Sequence, residues 1–164
     1  MTATASNPPA PSLRTAATVL TAGAFATIAF DLFGPGVAPL AGFAKLAPVG
    51  LAQSNLATVI GAVPKGAADT LHILTGVVAY PLGYLLIARP LAEKLVPGLH
   101  WSVAAAAYGV GLWVFALYVM AHLIAGMPPF LGFSGISWVA LWGHVLFALV
   151  AAGVIERGLP RPAR

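Results

Sequence analysis

The sequence contains no cysteine and very few charged residues. Of its 164 residues none is Cys, and Asp, Glu, Lys and Arg together make up only 7 %. The missing thiols exclude disulfides, thiolate-bound metals, iron–sulfur clusters and a cysteine nucleophile. The low charge is far below the roughly 25 % of soluble domains, so a water-exposed globular fold is not expected.

Hydrophobic residues are correspondingly abundant. They make up 60 % of the chain, against about 45–50 % in soluble proteins, and this predicts that lipid is the solvent. The formal net charge is +4, but the basic residues are scattered between apolar runs and form no continuous stripe. Nucleic acid is therefore not expected as a partner. Membrane lipids are expected as partners instead.

Four apolar stretches are each about as long as the roughly 20 residues that a membrane-spanning helix needs. They cover approximately residues 14–33, 67–89, 101–125 and 131–155. Pro35 and Pro39 are expected to end the first span, and Arg89-Pro90 the second, because proline disrupts a helix interior. The sequence predicts an all-α integral membrane four-helix bundle as its fold class.

The spans form one transmembrane domain over residues 14–156, with a short tail at either end. Residues 1–13 are small, polar and proline-rich, and are expected to be a disordered cytoplasmic tail; residues 157–164 are expected to be a second cytoplasmic tail. A secretory signal is the rival interpretation of the first stretch, because Arg14 precedes a short apolar run. Residues 34–66 form a long apolar loop, in which we expect one or two short helices at the membrane interface.

The basic residues predict the orientation of the bundle. Six fall on one side of the predicted membrane and two on the other, which places both termini and the connector between spans two and three in the cytoplasm. The six are Arg14, Arg89, Lys94, Arg157, Arg161 and Arg164; the two are Lys45 and Lys65. The expected location is a bacterial inner membrane.

Polar side chains within the spans are the candidate functional residues, because such groups are costly in lipid. Alternating spans would bring Asp31, His72 and His122 into one layer below the outer surface. His144 is expected about 10 Å deeper, from the rise per residue of a helix. Thr27 and Tyr118 supply hydroxyl groups one turn from Asp31 and His122, respectively.

Several chemistries remain open for this layer. His72 and His122, on separate helices, could ligate a b-type haem from opposite faces. Asp31, His72 and His122 could instead hold a divalent metal ion, or Asp31 and a histidine could serve a proton or quinone site. Hydrogen bonds that only specify helix packing are a fourth interpretation.

Three short motifs carry a resemblance to other membrane proteins. They are Gly23-Ala-Phe-Ala-Thr27 in the first span, His72-Ile-Leu-Thr-Gly76 in the second and Gly143-His144-Val145 in the last. These resemble the G-x-x-A-T, H-x-x-x-G and G-H-v-x-Y-G motifs of small, uncharacterised four-span bacterial inner-membrane proteins. Phe147 and Ala148 depart from the Tyr and Gly of the last motif. The resemblance implies a shared four-span fold and no particular chemistry.

No complete catalytic motif or phosphate-binding loop is present, so we do not expect an enzyme. The first functional hypothesis is a non-catalytic subunit or accessory protein of a larger bacterial respiratory or photosynthetic membrane assembly, with other membrane subunits as partners. A b-haem membrane anchor in electron transfer is the second. A small metal-, proton- or quinone-handling membrane protein is the third.

Overall fold

Helices are the only regular secondary structure in residues 12–160, the range that the computed structural model describes. There are five: α1 (Leu13–Leu40), α2 (Pro48–Ile60), α3 (Ala67–Leu95), α4 (Trp101–Ile124) and α5 (Gly135–Gly158). All except α2 are long and apolar enough to cross a membrane. The predicted all-helical fold, with four helices long and apolar enough to span a membrane, is confirmed for the described residues.

The predicted tails lie mostly outside the described residues. Residues 1–11 and 161–164 fall there, whereas Ser12 and Leu13 begin α1. The Ser12 hydroxyl accepts a hydrogen bond from the Thr15 amide at 3.2 Å, which caps one of the free N–H groups at the start of the helix.

Helix α1 does not end at Pro35, contrary to expectation. A wide π-helical turn spans Leu32–Val37, and the Ala38 N–H donates to the Phe33 carbonyl five residues earlier. This wider turn accommodates Pro35, which has no N–H to donate and whose ring would crowd a regular α-helix. The helix therefore continues to Leu40.

Helix α3 likewise continues past its expected end at Arg89-Pro90. Wide turns cover Thr75–Ala79 and Tyr84–Ala88, and the second one ends just before Pro90. Pro90 then occupies the first turn of the following α-helical segment, Arg89–Leu95. The preceding wide turn, in which the Arg89 N–H donates to the Tyr84 carbonyl five residues earlier, accommodates a residue that has no N–H to donate. Only residues 96–100 are left to connect α3 with α4.

Helix α5 packs against both α1 and α4, and small residues allow close approach between helices. A Cβ atom at Gly109 of α4 would lie 2.6 Å from Cα of Val145 in α5. A Cβ atom at Gly23 of α1 would overlap the backbone of Val77 in α3. Such contacts are typical of helices that associate in lipid, where packing rather than hydrophobicity favours association.

Contacts between helix ends define which ends lie together. The Arg14 side chain, at the start of α1, donates from Nε to the Gly158 carbonyl at the end of α5 at 3.1 Å. At the opposite end, Asp31 of α1 contacts His72 of α3. Helix α2 packs against the first part of α3 and the last part of α4. The long loop is thus partly helical, as predicted.

The chain turns sharply between α4 and α5. Phe130, Leu131, Gly132 and Phe133 all have positive φ, between 50° and 66°, and form a short left-handed turn. For the three residues with side chains this conformation costs about 1–2 kcal/mol each. Ring contacts of Phe130 offset part of that cost: the ring is tilted against Trp113 (4.7 Å between centroids) and stacked on Tyr118 (5.6 Å). The turn delays the start of α5 to Gly135, four residues after the predicted start at 131.

Candidate functional site

The Asp31 and His72 side chains are in direct contact, as their shared predicted layer suggested. The His72 Nε2 atom lies 3.0 Å from one carboxylate oxygen of Asp31 and 3.2 Å from the other. Because the two residues lie on α1 and α3, the contact joins these helices. The His72 side chain is 16 % exposed and that of Asp31 is 37 % exposed, so the pair is partly screened.

A cavity of about 410 Å³ lies beside this pair, within the range of roughly 300–1,000 Å³ that is usual for small-molecule sites. All five helices and the loop before α2 contribute to its wall. The wall is mainly aliphatic and aromatic. Its polar members are Thr27, Asn55, His72, Thr75, Tyr80 and His144.

The wide turns of α3 and α4 form much of the cavity wall. Thr75, Gly76 and Ala79 belong to the first wide turn of α3, and residues 115–117 together with Met120 belong to that of α4. Beside the cavity, α2 lies between α3 and α4. These two helices contact each other mainly elsewhere, through the second half of α3 and the first half of α4. Such π-helical turns are often found at functional sites, because they displace side chains from the regular helical pattern.

His144 of α5 lines the same cavity as His72, although the helical rise predicted it about 10 Å deeper. Its side chain is buried, and its Nδ1 atom lies 2.7 Å from the carbonyl oxygen of Ala140. The Phe30 ring stands beside both histidines, with its centroid 5.1 Å from that of His144 and 6.5 Å from that of His72. Two imidazoles on different helices therefore share one aromatic neighbour.

Two further polar groups of the wall are buried without a hydrogen-bond partner among residues 12–160. They are the Thr27 hydroxyl oxygen and the Asn55 side-chain carbonyl oxygen. The Thr27 side chain packs onto Gly76 of α3, where a Cβ atom would overlap the hydroxyl. Buried polar atoms of folded proteins nearly always have partners, so these two oxygens are candidate contacts for the polar group of a ligand in the cavity.

The structure places His122 outside this group. Its Nδ1 atom lies 2.7 Å from the Met127 carbonyl oxygen, at the end of its own helix. The Tyr118 ring, predicted to lie one turn away, is beside it at a centroid distance of 5.4 Å. Neither residue lines the cavity.

The structure does not bring Asp31, His72 and His122 together as a metal site. Within the described part of the chain, no three His, Cys, Asp or Glu side chains are grouped closely enough to hold a metal ion. The physical reason is that His122 turns to the end of α4 and its bond with Met127. Haem ligation would require one ring nitrogen of His72 and one of His122 to reach the same iron. Both hypotheses stay predictions, which metal analysis and a visible spectrum of the purified protein test.

Sequence reasoning did not identify Asn55 or Tyr80 as parts of the site. Asn55 stood among other polar residues of an apolar loop, and only the packing of α2 against the bundle brings it to the cavity. Tyr80 lies 6.4 Å from His144 between ring centroids. The spacing of eight residues between His72 and Tyr80, about two helical turns, is the one signal that could have suggested a common face.

Comparison of the chain with known protein families, with curated proteins and with solved structures found no match. The candidate site is therefore argued from its own geometry.

Proposed function

We propose that this protein is a non-catalytic membrane protein that binds a small lipophilic molecule in the cavity between its helices. The observation that carries the proposal is a cavity of about 410 Å³ whose mainly apolar wall contains two histidines and two buried, unpartnered oxygen atoms. Apolar walls with a few convergent polar groups are the usual composition of small-molecule sites. A ligand that reaches such a site from the bilayer needs no soluble domain.

We further propose the predicted topology for this binding protein: a four-helix bundle of the bacterial inner membrane with both termini in the cytoplasm. The distribution of the basic residues supports this orientation. Two side-chain contacts support it further, because they join ends that are predicted to be cytoplasmic: Arg14 with Gly158, and Arg89 with Pro160.

The experiment is to identify what the protein retains on purification. Full-length protein isolated in a mild detergent is extracted with organic solvent, and the lipophilic molecules are analysed by mass spectrometry. We expect one molecule to be enriched over the bulk phospholipids. Replacement of the buried cavity residue Ala116 by Phe would fill the space and remove that molecule.

Ala107→Phe is the matched control, because Ala107 lies on the same helix with its side chain exposed. Circular dichroism and elution volume confirm that both variants are folded. Wild-type protein that carries only bulk phospholipid would contradict the proposal, as would an unchanged set of molecules in Ala116→Phe.

Membership of a larger respiratory or photosynthetic assembly stays a prediction alongside this function. One observation favours a protein neighbour: Trp138 and Trp142, one turn apart on α5, are 49 % and 62 % exposed. Native mass spectrometry from mild detergent tests it. A stable lone protomer, unaffected by Trp142→Ala, would argue against a partner.

A further inference from the structure

The two unpartnered oxygens of the cavity wall can both accept hydrogen bonds. The Asn55 side-chain nitrogen donates to the Leu51 carbonyl at 3.0 Å, which leaves the side-chain oxygen of Asn55 as an unpartnered acceptor. The Thr27 hydroxyl oxygen is also unpartnered among the described residues and offers two lone pairs as well as its proton. The side chains of both residues are more than nine-tenths buried.

His144 adds an acceptor of the same kind. A carbonyl oxygen only accepts, so the Nδ1 atom of His144 must carry the proton that it shares with Ala140. In a neutral imidazole, Nε2 is then the acceptor. His72 directs Nε2 to the Asp31 carboxylate, which only accepts, so Nε2 is the donor of that contact.

The surrounding wall suits a flat, apolar ring. Phe30 and Tyr80 flank His144, and the Tyr80 ring stands edge-on to Phe147 at 5.7 Å between centroids. Leu46, Leu51 and Leu117 continue the wall with aliphatic side chains. Edge-to-face contacts of this kind are favourable for aromatic rings, and the aliphatic part could receive a hydrocarbon tail.

Together, these features define a ligand that has hydroxyl donors on an apolar ring. We propose that the cavity binds a membrane quinol, the dihydroxy form of a quinone, in preference to the oxidised dicarbonyl form. The carbonyl oxygens of a quinone only accept, so they can pair with the wall hydroxyls but leave the Asn55 oxygen and His144 Nε2 without donors, whereas both hydroxyls of the quinol donate. This inference concerns binding alone, without electron transfer, and rests on the proposed lipophile-binding function.

The test compares the two redox forms of one probe. Full-length protein in phosphatidylcholine nanodiscs is titrated anaerobically with 2-decyl-1,4-benzohydroquinone, and in parallel with its quinone. Empty nanodiscs correct for partitioning into lipid. We expect at least tenfold tighter binding of the hydroquinone, which for a two-electron couple raises the midpoint potential of the bound probe by about 30 mV.

Two conservative variants connect this preference to the unpartnered oxygens. Thr27→Val and Asn55→Leu replace polar atoms by apolar groups of similar size. Asn55→Leu removes an acceptor-only oxygen and should reduce the preference to threefold or less, whereas Thr27→Val removes a hydroxyl that can also donate to a quinone and should reduce the preference less. Thr58→Val is the matched control, because Thr58 is exposed on α2 and its hydroxyl bonds to Ser54 within the helix. The control should keep the full preference.

The outcomes separate this inference from the proposed function. Equal affinity for both redox forms, or tighter binding of the quinone, overturns the quinol inference, and this ratio is measured on the unmodified protein whether or not the variants fold. Equally strong competition by hexadecanol, which has one hydroxyl and no ring, also overturns it. If neither form binds while Ala116→Phe still removes a different co-purified lipophile, the quinol inference fails and the proposed function stands. If no lipophile is retained at all, both fail.

Discussion

Arg89 of α3 and Glu156 of α5 form an ion pair that is more than nine-tenths buried. The Arg89 Nε atom lies 3.2 Å from Oε1 of Glu156, and the side chains are 7 % and 8 % exposed. The Nε–H group itself is not aligned for a hydrogen bond, although the two charged groups lie within ion-pair distance. The Tyr84 hydroxyl donates to the same carboxylate at 3.2 Å, and the three groups tie the ends of α3 and α5 together.

Removing the charge of Glu156 should destabilise the protein strongly. Glu156→Gln leaves the Arg89 guanidinium buried beside a neutral group, and breaking a buried pair in this way costs about 3–5 kcal/mol. Denaturation in mixed micelles, followed by circular dichroism, gives the free energy of unfolding. Glu93→Gln is the control, because Glu93 is 38 % exposed and 3.7 Å from Arg89, and its loss should cost less than about 1 kcal/mol. Equal losses in the two variants would refute a special role for the buried pair.

Two glycines of α4 should respond oppositely to alanine. Gly109→Ala would place a Cβ atom 2.6 Å from Val145 Cα and 2.8 Å from the His144 carbonyl oxygen, an overlap that should cost about 1–3 kcal/mol. Gly111→Ala meets no atom within 4 Å and should be neutral or stabilise the helix by up to about 1 kcal/mol. Melting temperatures in one detergent compare the two variants, and a similar change in both would contradict the helix packing described above.

Asp31 and His72 should show a coupling free energy in their contribution to stability, whereas Asp31 and His122 should not. A double-mutant cycle of Asp31→Asn and His72→Gln should give about 1 kcal/mol, because the contact is direct but partly exposed. The cycle of Asp31→Asn with His122→Gln should be additive within about 0.5 kcal/mol, as expected for groups that share no contact. Strong coupling in the second cycle would favour the predicted layer in which all three residues act together.

The absence of cysteine allows a clean test of membrane orientation. Lys65→Cys and Lys94→Cys each introduce a single thiol at an exposed position, on opposite sides of the predicted bundle. In spheroplasts, a membrane-impermeant maleimide should label the thiol at position 65 at once and the thiol at position 94 only after permeabilisation. Labelling of both from the same side would contradict the orientation with both termini in the cytoplasm.

The sequence was sufficient to predict the four long helices, and it placed Asp31 and His72 in one layer without predicting that their side chains would be in contact. Helix length and apolar composition follow from the thickness of the bilayer, and alternating helices bring the end of α1 next to the start of α3. The ends of the helices were less predictable. Pro35 and Pro90 were expected to stop helices, but wide turns at or before these residues allow α1 and α3 to continue.

The cavity was not predictable, because it depends on the rotation and packing of elements that the hydrophobic pattern does not fix. Nearly every position of the spans is apolar, so periodicity could not indicate which face of α5 carries His144 inward. Nor could composition show that α2 would bring Asn55 against the bundle rather than lie apart from it. His122 was expected in the site on depth alone, and depth does not determine the direction of a side chain.

The wide turn at Phe115–Ile124 makes the cavity sensitive to chain length. A π-helical turn holds about one residue more than the α-helical turn that it replaces. Deleting one residue there would tighten the segment toward regular α-helical geometry, so the side chains inside it would lose their present positions while the flanking α-helical turns keep their phase. A deletion that removes no polar group would thus reshape the wall formed by Ala116 and Met120, so that shortening this segment by one codon should abolish binding more completely than many single substitutions.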